Sequence, residues 1–164
     1  MSTLLSLSKA KRIVIKIGSS LIAESARVRG PWLGAMAADI AALHEAGKQV
    51  IIVSSGAVAL GRPQVGLGSG RLSLDEKQAA AAAGQPLLIQ AWQQAFAKHD
   101  IHVAQLLLTL DDSENRRRYL NARATFTTLL AHKLIPIVNE NASVATAELK
   151  FPHNPRHAAP VPPL

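Results

Sequence analysis

The chain has 164 residues, enough for one domain with a sizeable core and cramped for two. Apolar residues make up 48% and charged residues 18%, a globular composition, and the absence of cysteine excludes disulfides and thiolate metal sites. The net charge of +7 suits small anions as well as nucleic acid, and the basic residues are scattered apart from Arg116, Arg117 and Arg118. Only Tyr119 could stack beside that run, so no nucleic-acid partner is expected.

The N-terminal "MSTLLSLSKAKRIVIKIG" places its basic residues after a short apolar run, which argues against a secretory signal. No apolar run approaches the roughly 18–20 residues that a membrane span needs, and a soluble cytoplasmic protein is expected. "RIVIKIG" reads as a buried strand ending in glycine. "GPWLGAMAADIAALHEAGKQ" follows as a helix with Pro31 at its start and a left-handed C-cap at Gly47. "QVIIVSSGA" repeats the strand pattern and runs into small residues. "GRPQVGLGSGR" matches no phosphate-binding glycine pattern and reads as a loop. Ser73 and Glu76 have capping-box spacing and open a helix, which Gly84 should break and Pro86 restart. "IHVAQLLLT" is a third strand, "NARATFTTLLAHK" a helix and "LIPIVNE" a fourth strand. Strands alternating with helices predict an α/β fold: an open parallel sheet of at least four strands with helices on both faces.

Ligands of such sheets bind beyond the carboxyl ends of the strands. Those ends are "KIGSS", "VSSGA", "LLTLDD" and "VNENAS", mostly small residues, hydroxyls and amides that let backbone N–H groups approach an anion. Lys16 stands in an otherwise apolar strand and is costly to bury without a partner. That partner is either a bound anion or a carboxylate such as Asp111 or Asp112. The six histidines are scattered, and His153 and His157 cannot share a helix face across Pro155, so no metal site is expected.

"VIKIGSSL", "VIIVSSGAVALG", "QAAAAAGQPLLIQAW", "VAQLLLTLDDSENRRRYLNARATFTTLL" and "IPIVNENASVATAELKF", in that order, closely resemble the glutamate 5-kinases of the amino acid kinase family. The likeness runs from about residue 10 to 151. "YLNAR" and "NEN…VAT" favour these kinases over aspartokinases, acetylglutamate kinases and uridylate kinases. The resemblance implies an αβα sandwich and the use of ATP and Mg²⁺ to phosphorylate the side-chain carboxylate of L-glutamate, the first step of proline biosynthesis. It also implies a homo-oligomer inhibited by proline. Lys16 would be the catalytic residue and, with Gly18 and Ser19, bind the ATP phosphates. Ser55, Gly56, Ala57, Asn139, Asn141, Ala142 and Asn154 would line the glutamate site. A carboxylate nucleophile is already ionised at neutral pH and needs no general base.

Several positions depart from the family pattern. Ala142 replaces an aspartate that helps hold the substrate's amino group, and Leu110 stands where arginine is common. Asn154 keeps the register of a substrate-binding asparagine, yet Pro152, His153 and Pro155 replace its glycine and aspartate neighbours. From Pro152 the chain has five of its nine prolines and no periodicity. The expectation is an amino-acid-binding part over 1–151 and a proline-rich tail over 152–164, from frame loss or gene decay after Phe151, without the later half that carries most of the family's nucleotide site. The rival readings are a non-catalytic fragment that keeps a weak amino-acid site or an oligomer surface, another amino acid kinase, and a basic nucleic-acid binder.

Overall fold

Strand β4 (Gln49–Ser54) sits inside the sheet and has apolar side chains on both faces: Val50, Ile51 and Ile52 are all buried. A strand of that kind needs cover above and below. The structure, a computed structural model, describes residues 9–108 and 116–140. In it β4 pairs in parallel with β1 (Arg12–Ile17) on one side and β6 (Ile135–Glu140) on the other. Beyond β6 lies β5 (Val103–Leu108), also parallel, so the order across the sheet is β1-β4-β6-β5.

Alternation along the strands divides the core in two. Ile17, Val50, Ile52, Ile135 and Ile137 face helix α2 (Gly30–Glu45) and helix α4 (Leu74–Ala97), which contribute Leu33, Ile40, Leu88, Trp92 and Phe96. Ile51, Leu106 and Val138 face the other way and pack on Phe126 and Leu130 of helix α5 (Arg116–Ala131). The steps β1 to β4 and β4 to β5 move the same way across the sheet, and their helices share one face. The step β5 to β6 moves back and its helix lies on the other. All three crossovers therefore have one hand, as the strong preference of parallel connections requires. The expected α/β sheet with helices on both faces is what forms.

The predicted caps are present. Ser73 Oγ accepts from the Glu76 N–H at 3.4 Å while Glu76 Oε2 accepts from the Ser73 N–H at 2.8 Å. Gly47 takes φ 80° after α2, where the Lys48 N–H donates to the Leu43 carbonyl at 3.0 Å. The glycine-rich segment after α3 (Ala57–Gly61) is the loop expected, folded back by the Arg62 guanidinium donating to the carbonyls of Gly68 and Gly70.

Helix α4 departs from expectation: it runs unbroken from Leu74 to Ala97 with Pro86 inside. The proline leaves the Ala82 carbonyl without its helical donor, but both residues are exposed and water can replace the bond. What holds the helix straight on is its seat against α3. A Cβ at Gly84 would collide with the Ala57 carbonyl oxygen and come within 2.5 Å of the Gly61 nitrogen. The two backbones touch, and Leu88, Trp92 and Phe96 are buried just beyond. That burial offsets the roughly 3 kcal/mol an internal proline costs.

A small feature absent from the expectations follows β1. Helix α1 (Ser19–Ile22) leads into a two-stranded hairpin, β2 (Ala23–Glu24) and β3 (Arg27–Val28). Its turn residues Ser25 and Ala26 have φ of 48° and 61°, the geometry of a tight hairpin turn built without its usual Asn-Gly.

The glycine contact makes a paired prediction. Gly84→Ala should destabilise the fold by about 3 kcal/mol or more, because overpacking here meets backbone rather than a movable side chain. Gly34→Ala, on α2 with open space where its Cβ would point, should stabilise by about 0.5–1 kcal/mol. Urea midpoints of both variants check this.

Candidate active site at the strand ends

The register brings the expected residues to one edge of the sheet. Lys16 pairs with Val53 and Ile17 with Ser54, while Val53 pairs with Val138, so Gly18 and Ser55, the first residues beyond β1 and β4, lie at the same edge as Asn139, the penultimate residue of β6. The helices after β1 and β4 lie on one face and the helix after β5 on the other. Strand β6 stands between those two directions, where open α/β sheets form their binding crevice.

The two serines after β4 have separate roles. Ser54 is buried and its Oγ accepts the indole N–H of Trp92 at 3.1 Å. Ser55 extends the ladder, its N–H donating to the Ile17 carbonyl at 3.1 Å, and so offers a ligand its hydroxyl rather than its amide. Gly56 then turns the chain into α3 with φ 120°, a conformation costly for any residue with a Cβ. It also lies against α1: a Cβ there would stand 3.4 Å from Ile22 and 3.9 Å from the Ser19 Cα. Ser19 and Gly56, named separately from sequence, are thus neighbours. Gly18, exposed, has open space where its side chain would be.

Lys16 differs from expectation. It is exposed, and its side chain projects to the face of Val53, opposite the face on which Ser54 and Asn139 meet α4. Burial therefore gives no reason for it to need an anion. At the penultimate position of β1, on a flexible four-carbon stem, it belongs to the sheet edge rather than the core. Asp111, Asp112, Asn141, Ala142 and Asn154 lie outside the described residues, as do Leu110 and the 152–164 tail.

Asn139 has a partner that sequence reasoning missed. Its Nδ2 donates to Gln85 Oε1 at 2.7 Å, across 54 residues. Gln85 sits in "AGQPL", directly after the glycine that touches α3 and directly before the internal proline. Its sequence signal was the expected break in that helix, which would have turned it elsewhere.

The assembled groups are a lysine ammonium, the hydroxyls of Ser19 and Ser55, and the short backbone turns at Gly18 and Gly56. They are donors, and oxygen-rich anions such as phosphate and carboxylate fit them. Among the described residues there is no group of three or more His, Asp or Glu that could hold a metal, and no helix long and apolar enough to cross a membrane.

An open parallel sheet with donor-lined strand ends defines a class of α/β domains that handle small anions. Within that class a family model described as "Amino acid kinase family" matches residues 11–154. The chain belongs to the amino acid kinase family. It is 58% identical over 157 residues to a protein named Glutamate 5-kinase from Paramagnetospirillum magneticum, covering 94% of this chain and 42% of the relative. Proteins of the same name from Caulobacter vibrioides and Nitrobacter winogradskyi are 56% and 53% identical, each with 41% of its length covered. The chain thus spans about two fifths of the length of these relatives. In fold it is similar to a carbamate kinase from Giardia, with TM-score 0.53 and 14% identity over 79% of this chain and 60% of that one.

The Ser54–Trp92 bond can be tested alone. Ser54→Ala leaves a buried indole N–H unpaired and should cost about 1–3 kcal/mol. The denaturation midpoint followed by tryptophan fluorescence should fall with an unchanged slope.

Proposed function

We propose that this chain is the amino-acid-binding part of a glutamate 5-kinase. The observation that carries the reading is identity of 50% to 58% over 93–94% of the chain to proteins of that name. The strand-end donors support it. In the proposed reaction a side-chain carboxylate oxygen of L-glutamate attacks the γ-phosphorus of ATP. The bond to the β–γ bridging oxygen breaks, and glutamyl 5-phosphate and ADP result. The carboxylate is ionised at neutral pH, so no residue need remove a proton.

Ser55, Gly56, Ala57, Asn139, Asn141, Ala142 and Asn154 are the proposed glutamate-facing residues, and Gly18 and Ser19 the proposed phosphate-facing ones. Lys16 serves as the catalytic cation, its stem carrying the charge past the end of β1 to neutralise the transferring phosphoryl group. Magnesium bound with the nucleotide would supply charge neutralisation at the phosphates, and Gly18, Ser19 and Lys16 would face those phosphates; among the described residues no cluster of three or more His, Asp or Glu is built to hold the ion by itself. Residues 1–151 are the proposed domain part that carries the rest of this site, and 152–164 the proline-rich segment in which Asn154 keeps its register. A cytoplasmic role in proline biosynthesis, proline as an inhibitor and a homo-oligomer belong to the same reading.

Phosphoryl transfer rests on charge stabilisation from all sides of the phosphate. The curated relatives extend this match by more than half of their length. The 164-residue polypeptide alone should therefore bind L-glutamate but show little or no ATP-dependent acyl-phosphate formation, assayed by hydroxylamine trapping. Turnover matching a full-length glutamate 5-kinase, at a purity that rules out host enzyme, would show that these residues assemble a complete site. Failure to bind L-glutamate at millimolar concentration would remove the amino-acid-site reading itself.

A further inference from the structure

The carboxamide of Gln85 is used on one side only. Its Oε1 accepts from Asn139 Nδ2 at 2.7 Å. Its Nε2 is shielded from solvent and has no hydrogen-bond partner among the described residues. Native structures pair nearly all such buried groups, and an orphan is expensive unless something absent from the protein supplies the acceptor.

The position of the orphan nitrogen is informative. It shares a planar amide with an oxygen held by Asn139, and Asn139 is the penultimate residue of β6, at the crevice edge. On the other side, Gly84 presses on the Ala57 carbonyl, so Gln85 stands next to the turn that carries Ser55 and Gly56. The amide is held on both flanks, by the α3–α4 contact and by the Asn139 bond. It cannot turn its nitrogen to water without breaking the latter. The side chain shown beside it, the Asn139 carboxamide, faces it with a donor. A donor beside a donor at a strand-end crevice calls for an anionic oxygen.

We infer that Gln85 is a ligand-binding residue of this site, its Nε2–H donating to a carboxylate oxygen of the bound amino acid while its Oε1 fixes Asn139. The inference rests on the reading of the strand ends as a glutamate site. The carboxylate is assigned over a phosphate because Gln85 lies with Asn139 on the sheet face away from Lys16.

Gln85→Glu separates the two roles. It keeps an acceptor for Asn139 Nδ2 and exchanges the free donor for a negatively charged oxygen. Isothermal titration of the 164-residue chain with L-glutamate, and separately with MgATP, should be run on wild type, Gln85→Glu and Gln85→Met, each also melted. The expected result is a cooperative transition in Gln85→Glu, glutamate affinity at least about tenfold weaker, and MgATP affinity within about twofold of wild type. Should Gln85→Glu fail to melt cooperatively, the neutral Gln85→Met carries the same comparison. Glutamate affinity within about twofold of wild type in the folded variants overturns the inference while leaving the glutamate reading intact. Loss of MgATP binding with glutamate binding retained also overturns it. Absence of glutamate binding by wild type removes the glutamate reading and this inference with it.

Discussion

Gly61 and Gly84 face one another at the crossing of α3 and α4, and no other residue type fits at either position without parting the two backbones. The short helix α3 follows directly from the end of β4, so the contact ties the longest helix of the described structure to a strand end rather than to the middle of the sheet. Everything α4 contributes to the crevice depends on that tie. Gln85 meets Asn139 one residue beyond the glycine, and two turns further Trp92 meets Ser54. A helix seated by side chains could slide by a rotamer change. One seated by backbone has no such freedom.

The same seat explains which parts of the molecule were legible in the sequence. The four strands, the capping box at Ser73 and the turn at Gly47 rest on residues within a few positions of one another, and local chemistry decides them. Pro86 is decided elsewhere. Read locally it breaks a helix, and only Gly61, Ala57 and the buried face of α4 make the unbroken helix cheaper. The hairpin after α1 was hidden for the opposite reason, since Ser25 and Ala26 lack the residue types that announce such a turn. Of the site, the strand ends were visible as runs of small residues, because the α/β topology brings all parallel carboxyl ends together. Gln85 was not, because its relation to Asn139 exists only after α4 is known to continue. Lys16 was recognised for a burial it does not have.

The two faces of the sheet are covered unequally. Under α2 and α4 the core holds Trp92, Phe96 and a full set of isoleucines, with the two rings stacked at 5.7 Å between centroids. Under α5 it is thin, and toward β1 that face leaves Val14 45% exposed beside Lys16. The strand-end groups on the Asn139 side are thus backed by dense packing, which holds donors in fixed positions. The Lys16 side is looser.

The strand order has a consequence for the chain as it is made. Strands β4 and β5 never pair with each other, because β6 lies between them and arrives last among the described strands. At typical synthesis rates of roughly 5–20 residues per second, β4 waits on the order of ten seconds after leaving the ribosome for its second neighbour. Throughout that interval the edge of "QVIIVS", β-branched and uncharged, is open to any strand that meets it first. Its protection must come from elsewhere: from early collapse of α2 and α4 onto its face, or from a chaperone that holds the nascent edge until Ile137 and Val138 slot beside Ile52 and Val53.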